Sequence, residues 1–513
     1  MCKSIVKKDE KGITTLFVDG KPFFMRSGEI HNSSACTLEV MEKEIWPQVR
    51  QLNLNSLIVP IYWECIEKEE GKFDFALVDG IINQARKEGL KLVFLWFGLW
   101  KNAESMYVPA WIKTDSKKYF RAEKVNGDRI NTVSPLCKEA VEADKKAFAT
   151  IMAHIKSIDE DQCTVIGMQV ENEIGLLGTP RDYSAKANEL FDSKVPEEIG
   201  KLYDVSSTWK EAFKDDAEEF FMAYHFAKAV EEITEAGQKE YNLPCYANAW
   251  LKQYPWIAGT YPSGGPNRSV HKIWKAMAPS LFALAPDVYV PFCADVMDEY
   301  AYEDNALFIP EIRKDAVASS YALYATLHHN ALCFSPFGIE ELALNPELVD
   351  KPPMEVMIAL NIDPSAFDTR GSKEALAATY KLLDELEPLY LQYRGTDKLQ
   401  SYVRHGEYDY GCLARCKEYD FKIGYSPRTS GKPLGSFSVF ELSDNKFLLI
   451  GLECSVSFNV KAGENKTAEI VSLQAGHIEN GQFVSDKLLN GDEKMALRFG
   501  AMPAVFMLEL FKY

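Results

Sequence analysis

The feature that most constrains the fold is an alternation, over about the first 340 residues, of short apolar runs with stretches of helical periodicity. Such alternation is typical of βα units, whose strands form a parallel sheet. Eight runs resemble strands, which suits a closed (β/α)₈ TIM barrel better than an open sheet. These runs are Phe23–Gly28, Ser56–Trp63, Leu90–Phe97, Thr164–Val170, Pro244–Ala247, Asp287–Pro291, Ala306–Pro310 and Ala331–Pro336.

The pattern changes near Arg394-Gly395. Before this point, Ser372–Tyr393 has the periodicity of one long helix, whereas afterwards short runs alternate between apolar and polar residues, as in half-buried strands. Turn signals separate these runs, and Asn480-Gly481 is typical of a tight hairpin. We therefore predict two domains, a catalytic (β/α)₈ barrel in residues 1–395 and a smaller antiparallel β-sandwich in residues 396–513.

Charge and hydropathy exclude several functions. The net charge of −18 argues against binding to nucleic acid or to an anionic membrane surface. No apolar run approaches the ~20 residues of a membrane span. The first eight residues lack the apolar core of a signal peptide. We expect a cytoplasmic enzyme with a neutral or cationic substrate, and the sequence leaves a homo-oligomer open.

The cysteines favour the same compartment. There are eleven, an odd number, and they are scattered along the chain, from Cys2 to Cys454. A secreted disulfide framework is denser and usually even. The one close pair, Cys412 and Cys416, has no matching second pair, so we expect no zinc site. We predict reduced thiols, most of them packed in the core.

The predicted strands end in carboxylates, amides and aromatic rings. A TIM barrel carries its reactive groups at these carboxyl ends. Hydrolysis of a glycosidic bond uses this mixture, because one carboxylic acid protonates the leaving oxygen while a carboxylate attacks or activates water. The strand ends read Gly28-Glu29-Ile30-His31-Asn32, Tyr62-Trp63-Glu64, Trp96 to Glu104, Gln169 to Glu173 and Pro310-Glu311-Ile312-Arg313.

The segment Gln169-Val170-Glu171-Asn172-Glu173-Ile174-Gly175 resembles the fourth-strand signature of clan A glycoside hydrolases, in particular family 35, the β-galactosidases. The resemblance covers roughly residues 15 to 340, and the tail from about 396 resembles the β-rich extension of one bacterial branch. It implies that Glu173 is the acid/base and that Asn172 binds the 2-hydroxyl of the sugar. Glu171, by contrast, is interpreted as a buried structural carboxylate.

Other motifs extend the resemblance. Ala103-Glu104, followed by Pro109-Ala110-Trp111, matches a family segment whose backbone and carboxylate hold galactose hydroxyls. Phe73 resembles the aromatic residue of another family element, with Glu67 and Gly71 upstream. Rings such as Trp63 and Trp100 stack on sugars or pack the barrel, and His31 is either a sugar contact or a core histidine. The predicted substrate-binding residues are Asn172, Ala103, Glu104, Asn102, Trp63, Trp100, His31 and Glu29.

The nucleophile segment departs from the family pattern. Typical members read Ser-Glu-[Phe/Tyr]-x-x-Trp, whereas this chain reads Pro310-Glu311-Ile312-Arg313-Lys314-Asp315. Only the Glu matches in place, which assigns Glu311 as the nucleophile and leaves substrate specificity open.

Together these patterns predict a retaining exo-β-galactosidase that needs no cofactor and no metal. Two alternatives remain. The first is a related β-glycosidase acting on another terminal sugar, such as glucose, xylose or galactofuranose. The second is a non-catalytic glycan-binding barrel, which the two retained carboxylates disfavour.

Overall fold

A computed structural model describes residues 3–513 of the protein. The chain begins with a small antiparallel sheet that the sequence did not predict, formed by β1 (Ser4–Lys8), β2 (Thr14–Val18) and β3 (Lys21–Pro22). The Ser4 hydroxyl donates a hydrogen bond to the carbonyl of Ile166, at the amino-terminal end of a barrel strand. The sheet therefore lies at the end of the barrel opposite the catalytic mouth.

Eight parallel strands form the central sheet, which confirms the predicted barrel. Its order is β4-β13-β12-β11-β10-β9-β6-β5. The longer strands are buried on both faces, as expected where helices cover a parallel sheet. In chain order the strands are β4 (Met25–Arg26), β5 (Ser56–Tyr62), β6 (Lys91–Lys101), the separate hairpin β7 (Arg121–Glu123) and β8 (Arg129–Val133), then β9 (Val165–Asn172), β10 (Cys245–Ala249), β11 (Leu281–Val288), β12 (Phe308–Ile312) and β13 (Cys333–Pro336).

The first strand closes the barrel. Beyond β4, Glu29 forms parallel bridges with Ile58 in β5 and with Phe337 after β13. The Ile58 N–H also donates to the Gly28 carbonyl, so the two outermost strands of the sheet meet. This closure brings the carboxyl ends of all eight strands to one mouth.

The sixth strand lies earlier than predicted. The sequence places it at Asp287–Pro291, but β11 spans Leu281–Val288. The segment Leu281-Phe-Ala-Leu-Ala-Pro is rich in alanine and contains Pro286, which disfavoured a strand assignment. Asp287 therefore lies at the carboxyl end of the strand rather than at its start.

Helices alternate with the barrel strands and follow the predicted patterns. α4 ends at Gly89, whose φ of 71° gives the left-handed turn that stops a helix. The buried face of α6 includes Val141, Phe148 and Ile151, as predicted. The helices are α1 (Leu38–Val40), α2 (Trp46–Val49), α3 (Trp63–Ile66), α4 (Ala76–Glu88), α5 (Ala110–Lys113), α6 (Lys138–Asp159), α7 (Ala185–Asp192), α8 (Glu197–Tyr203), α9 (Trp209–Phe213), α10 (Ala217–Glu240), α11 (His271–Met277), α12 (Cys293–Tyr300), α13 (Ala318–Leu327), α14 (Met354–Ala359) and α15 (Ser372–Tyr393).

The carboxyl-terminal region consists of two antiparallel sheets around one apolar core, in agreement with the predicted sandwich. One sheet has six strands in the order β14-β17-β18-β23-β20-β21, and the other has four in the order β15-β16-β19-β22. Asn480-Gly481 connects β20 to β21 as a tight hairpin. The strands are β14 (Leu399–Val403), β15 (Gly411–Arg415), β16 (Tyr419–Tyr425), β17 (Ser436–Ser443), β18 (Lys446–Leu452), β19 (Cys454–Val460), β20 (Ala468–Glu479), β21 (Gln482–Leu488), β22 (Leu497–Phe499) and β23 (Ala504–Lys512).

The six-stranded sheet packs on the barrel through α13 and α15. Phe440 is fully buried, belongs to the same apolar cluster as the barrel core, and contacts Tyr393 edge to face. The Ser320 hydroxyl donates to the Leu434 carbonyl across the same interface. The division at residue 395 stays a prediction.

Within residues 3–513, none of the helices combines the length and the apolar character needed to cross a bilayer. Nine of the described cysteines are free thiols. Cys163, however, is disulfide-bonded, so the prediction of reduced thiols is wrong at that position. For Cys2 that prediction lies outside the described residues.

Candidate active site

Glu173 lies directly after the fourth barrel strand, β9. Its φ of 43° is a left-handed conformation that a non-glycine residue adopts at some energetic cost, and such strain concentrates at functional sites. The Glu173 N–H donates to the side-chain oxygen of Asn248, at the end of β10, over 2.9 Å. Only 7% of Glu173 is exposed, at the mouth of the barrel.

Glu311 lies in the seventh barrel strand, β12. Its Oε1 accepts a hydrogen bond from the Tyr289 hydroxyl, which belongs to the loop after β11. Asp287 is its register partner in β11. Glu311 also remains 7% exposed at the mouth.

The two carboxyl groups interact electrostatically. Burial, and next the charge of Glu311, raise the pKa of Glu173 to about 7, while Lys101 opposes the rise. Burial also raises the pKa of Glu311, against the Lys101 charge and the Tyr289 hydrogen bond. The negative charge of Glu311 therefore favours the protonated form of Glu173. Two neighbouring carboxyl groups of unequal pKa are the arrangement expected of a nucleophile and a general acid.

The ends of the third and fourth strands are joined by hydrogen bonds. The Lys101 ammonium donates to the side-chain oxygen of Asn172 over 2.8 Å. The backbone N–H groups of Asn102 and Ala103 donate to the carbonyls of Asn172 and Glu173, at 3.2 and 3.1 Å. The structure therefore brings the predicted residues 102, 103 and 172 together beside Glu173.

Glu104 lies on the same turn and is half-buried. Its N–H and carbonyl pair with Lys101, and its Oε2 accepts a bond of 3.3 Å from the Asn131 amide. The carboxylate has room for further hydrogen bonds. Its predicted role in holding sugar hydroxyls stays a prediction.

Glu29 lies at the end of the first strand and is fully buried. Neither of its carboxyl oxygens has a hydrogen-bond partner among the described residues. Burial, and next the charge of Glu311, raise its pKa well above the usual range. A buried polar group without partners is costly unless something else supplies them.

His31 lies close to Glu29, on the first barrel loop. Its Nδ1 is 3.1 Å from Oε1 of Glu340, and its ring contacts Phe337 edge to face. About a third of the side chain is exposed, and its charge lowers the pKa of Glu311. The structure thus places His31 at the mouth rather than in the core.

Two aromatic residues lie away from the mouth. Trp63 is fully buried, packs against Trp96 and Trp111, and donates its indole N–H to Glu67. Trp100 is also fully buried, and its indole N–H donates to the Val133 carbonyl. Sugar binding by these two rings is not supported, because protein contacts already occupy them.

Glu171 forms a separate buried cluster. Its carboxylate accepts hydrogen bonds from the backbone N–H groups of Leu99 and Trp100, at 3.2 and 2.6 Å. Asp144 accepts from Leu99 and from the Trp96 indole, at 2.9 and 2.8 Å. Gly98 leaves room for these groups, since a Cβ there would overlap Glu171 and Asp144. The interpretation of Glu171 as a structural carboxylate agrees with these contacts.

Four residues of the mouth were not among the site residues predicted from the sequence: Lys101, Asn248, Asp287 and Tyr289. Asn248 is the next residue after the predicted fifth strand, so the strand-end rule would have found it. Asp287 and Tyr289 were not identified as strand-end residues because the sixth strand was predicted too far along the sequence.

One set of side chains elsewhere could hold a metal. Asp295 and Asp298 of α12 lie near His405, with ligand atoms within 4.8 Å of one another. The predicted absence of a metal and of a cofactor stays a prediction.

Comparison with known proteins agrees with this geometry. Residues 15–244 match the model of glycosyl hydrolases family 35, and residues 376–500 match a domain of unknown function, DUF5597. A β-galactosidase of Xanthomonas manihotis is 26% identical over 187 residues, which cover 34% of this chain and 28% of the relative. The matched part therefore spans little more than a quarter of that relative's length.

Solved structures of low similarity were also found. The catalytic domain of a β-amylase from Paenibacillus polymyxa has a TM-score of 0.45 and 11% identity, covering 66% of this chain and 97% of that one. β-Galactosidases from Marinomonas ef1 and Rahnella sp. R3 have TM-scores of 0.44, with 11% and 14% identity. These two alignments cover 69% and 71% of this chain and 65% and 64% of theirs. The family match agrees with the resemblance noted in the sequence: residues 15–244 of this chain are similar to glycosyl hydrolases family 35.

Proposed function

We propose that the protein is a retaining exo-β-glycosidase that releases terminal β-linked galactose from oligosaccharides or glycans. One observation carries the proposal. A carboxyl group that keeps its proton near neutral pH, Glu173, lies beside a carboxylate, Glu311, whose negative charge favours that protonated form. General acid catalysis needs the former, and nucleophilic attack needs the latter.

The reaction has two steps. In the first, the Glu311 carboxylate attacks the anomeric carbon while Glu173 gives its proton to the departing glycosidic oxygen. In the second, Glu173 takes a proton from water as the water attacks the same carbon, and Glu311 leaves as a carboxylate. Tyr289 holds Glu311 in place through its hydrogen bond.

The polar atoms at the mouth suit a neutral polyol. Both oxygens of Glu29, one oxygen of Asp287 and the Asn172 amide nitrogen are buried without partners in the described structure. This set contains donors as well as acceptors, and sugar hydroxyls supply both. Such recognition fits a substrate that enters the barrel end first, as an exo-acting enzyme requires.

The curated relative is a β-galactosidase, which makes galactose the first candidate for the terminal sugar. The segment of this chain around Arg313 and Lys314, however, departs from the family pattern. Both side chains are buried in ion pairs, Arg313 with Asp315 and Asp363, and Lys314 with Glu341. Beside them, Ile312 and Asp315 stand where typical family members carry the two aromatic residues. Glucose, xylose or galactofuranose is therefore the second candidate for the terminal sugar.

A panel of chromogenic aryl β-glycosides that differ only in the sugar tests the proposal. We expect the β-galactoside to have the highest kcat/KM and Glu311→Gln, the matched control, to be inactive on every sugar. Proton NMR of the first product should show the β-anomer, which indicates retention. Equal inactivity of the wild-type protein on all of the glycosides would overturn the proposal, and an α-anomer would overturn the retaining mechanism.

We further propose that residues 396–513 support the barrel rather than take part in chemistry. The buried contacts of Phe440 and of Ser320 with Leu434 support this role. A 1–395 fragment should aggregate, because removing the sandwich exposes an apolar flank. A soluble and fully active fragment in size-exclusion chromatography and activity assays would contradict it.

A further inference from the structure

Asp287 is a third carboxyl group at the mouth, and neither step described above uses it. It lies at the end of β11, is almost fully buried, and is the register partner of the nucleophile Glu311 in the neighbouring strand. It therefore faces the same mouth as the two catalytic carboxyl groups.

Asn248 connects Asp287 to the acid/base. Its side-chain oxygen accepts the Glu173 N–H at 2.9 Å, and its amide nitrogen donates to Oδ2 of Asp287 at 2.7 Å. The other oxygen, Oδ1, is buried and receives no N–H from the described residues. The Asp287 and Glu173 side chains are close enough for a hydrogen bond between them, which lowers the pKa of Glu173. With Oδ2 occupied as an acceptor, Oδ1 is the oxygen that can carry a proton.

The charges around Asp287 oppose its ionisation. Burial, and then the charges of Glu311, Glu173 and Glu29, raise the pKa of Asp287 well above its usual range. Two neutral phenols, Tyr246 and Tyr289, also lie close to it. Opposing contributions come from Lys101 and His31, which lower the pKa of Glu311, and Lys101 also lowers the pKa of Glu173 and Glu29.

We propose that Asp287 stays protonated through the catalytic cycle and donates a hydrogen bond to the Glu173 carboxylate that forms as the leaving group departs. Asp287 is thus a positioning residue for the acid/base, and this role rests on the proposed glycosidase function. The bond stabilises the charged product of proton donation, so it makes Glu173 a stronger acid than burial alone would allow.

Asp287 neither gains nor loses a proton in either step of hydrolysis. In the first step the Glu173 proton moves to the glycosidic oxygen as the C–O bond breaks and the bond from Glu311 forms. In the second step a water proton returns to Glu173. The Asp287 proton remains on Asp287 throughout and only shares its hydrogen bond.

The test compares Asp287→Ala with Asp287→Asn in pH profiles of kcat/KM. The alanine variant loses the donor, so the alkaline limb should move to higher pH. Hydrolysis of a galactoside with a poor leaving group should then fall roughly 10- to 100-fold, the range for a hydrogen bond to a charged group. An activated dinitrophenyl galactoside, which needs little protonation, should be affected much less. The asparagine variant keeps a neutral donor of the same shape, so its alkaline limb should stay near that of the wild type.

A matched control is Asp144→Asn, which alters a buried carboxyl group of the Glu171 cluster and should leave the alkaline limb in place. Thermal melts of all variants identify any that fail to fold. Infrared difference spectra give a readout independent of activity, because the band of a protonated carboxyl group should be present at neutral pH and lost in Asp287→Asn.

Two results would distinguish a failure of the Asp287 inference from a failure of the proposed function. A shift of the alkaline limb to lower pH in Asp287→Asn would mean that Asp287 is ionised, and only this inference would fail. If the wild-type protein hydrolysed no β-glycoside, the proposed function itself would fail.

Discussion

Two clusters of buried carboxyl groups lie at the end of β9, one around Glu171 and the other around Glu173. They differ in whether their carboxyl oxygens have hydrogen-bond partners in the protein. Glu171 and its neighbour Asp144 accept hydrogen bonds from backbone N–H groups and an indole. Glu29 and Asp287, around Glu173, keep buried oxygens without protein partners. Burial raises the pKa in both clusters. Burial and pKa therefore do not separate a structural carboxyl group from a functional one, whereas unmet hydrogen-bonding capacity does.

The largest expected effect concerns the two catalytic groups of the mouth. Glu311→Ala should abolish turnover of all galactosides, because no group remains to attack the anomeric carbon. Glu173→Ala should lose roughly 10²- to 10⁴-fold with a poor leaving group and much less with an activated aryl one. Steady-state kinetics on both substrates measures the difference. Equal losses on the activated substrate would show that the roles are wrongly assigned.

A second prediction compares the clusters directly by stability. Glu171→Ala leaves the Trp100 N–H buried without an acceptor, whereas the Leu99 N–H keeps its bond to Asp144. The loss should cost about 1–3 kcal/mol in the free energy of unfolding. Glu29→Ala, the matched change at the mouth, truncates a side chain of the same size that has no protein hydrogen bond to lose, so it should cost less than Glu171→Ala by about 1–3 kcal/mol. Urea unfolding of both variants measures this. Similar destabilisation by the two changes would remove the distinction between the clusters.

A third, smaller effect is expected at the half-buried Glu104. Its substitution by alanine should lower kcat/KM on the β-galactoside by a factor equivalent to about 1–3 kcal/mol of transition-state stabilisation. This is the range for lost hydrogen bonds to a charged group. The loss should shrink on a deoxy sugar that lacks the same hydroxyl, since both changes delete one contact. Additive losses would make Glu104 a scaffold residue like Glu171.

The smallest effect is in the pH profile. The alkaline limb of kcat/KM should lie near pH 7, because activity falls as Glu173, with its pKa of about 7, loses its proton. Lys101 lowers the pKa of both Glu173 and Glu311. Lys101→Gln should therefore move both limbs to higher pH, by up to about one unit. A limb that stays in place would show that Lys101 acts only by holding Asn172.

Sequence reasoning was most accurate where local pattern decides structure. Ser372–Tyr393 forms one helix as predicted, and the almost entirely apolar run from Leu90 forms the third strand, although β6 continues to Lys101. The Asn172-Glu173 pair was assigned from its motif. A local pattern of this kind needs no knowledge of what packs against it.

Properties that depend on packing or pairing with distant segments could not be predicted from the local sequence. Trp63 and Trp100 have the composition of sugar platforms, but their neighbours bury both rings. The alanine-rich segment before Asp287 is a strand because β10 pairs with it, not because of its own propensity. The pairing with β12 is also what makes Asp287 a strand-end residue, so a boundary error of a few residues concealed a functional group.

The hydrogen bonds that join residues 102 and 103 to the carbonyls of 172 and 173 have a consequence for redesign. These two hydrogen bonds tie the turn that is expected to grip the sugar to the segment that is proposed to deliver the proton. Repacking the turn to admit a new sugar would displace the acid/base with it, so altered specificity should come with a slower chemical step. Directed evolution for new substrates should therefore succeed first at the opposite wall, near His31 and Lys314, where changes leave this joint intact.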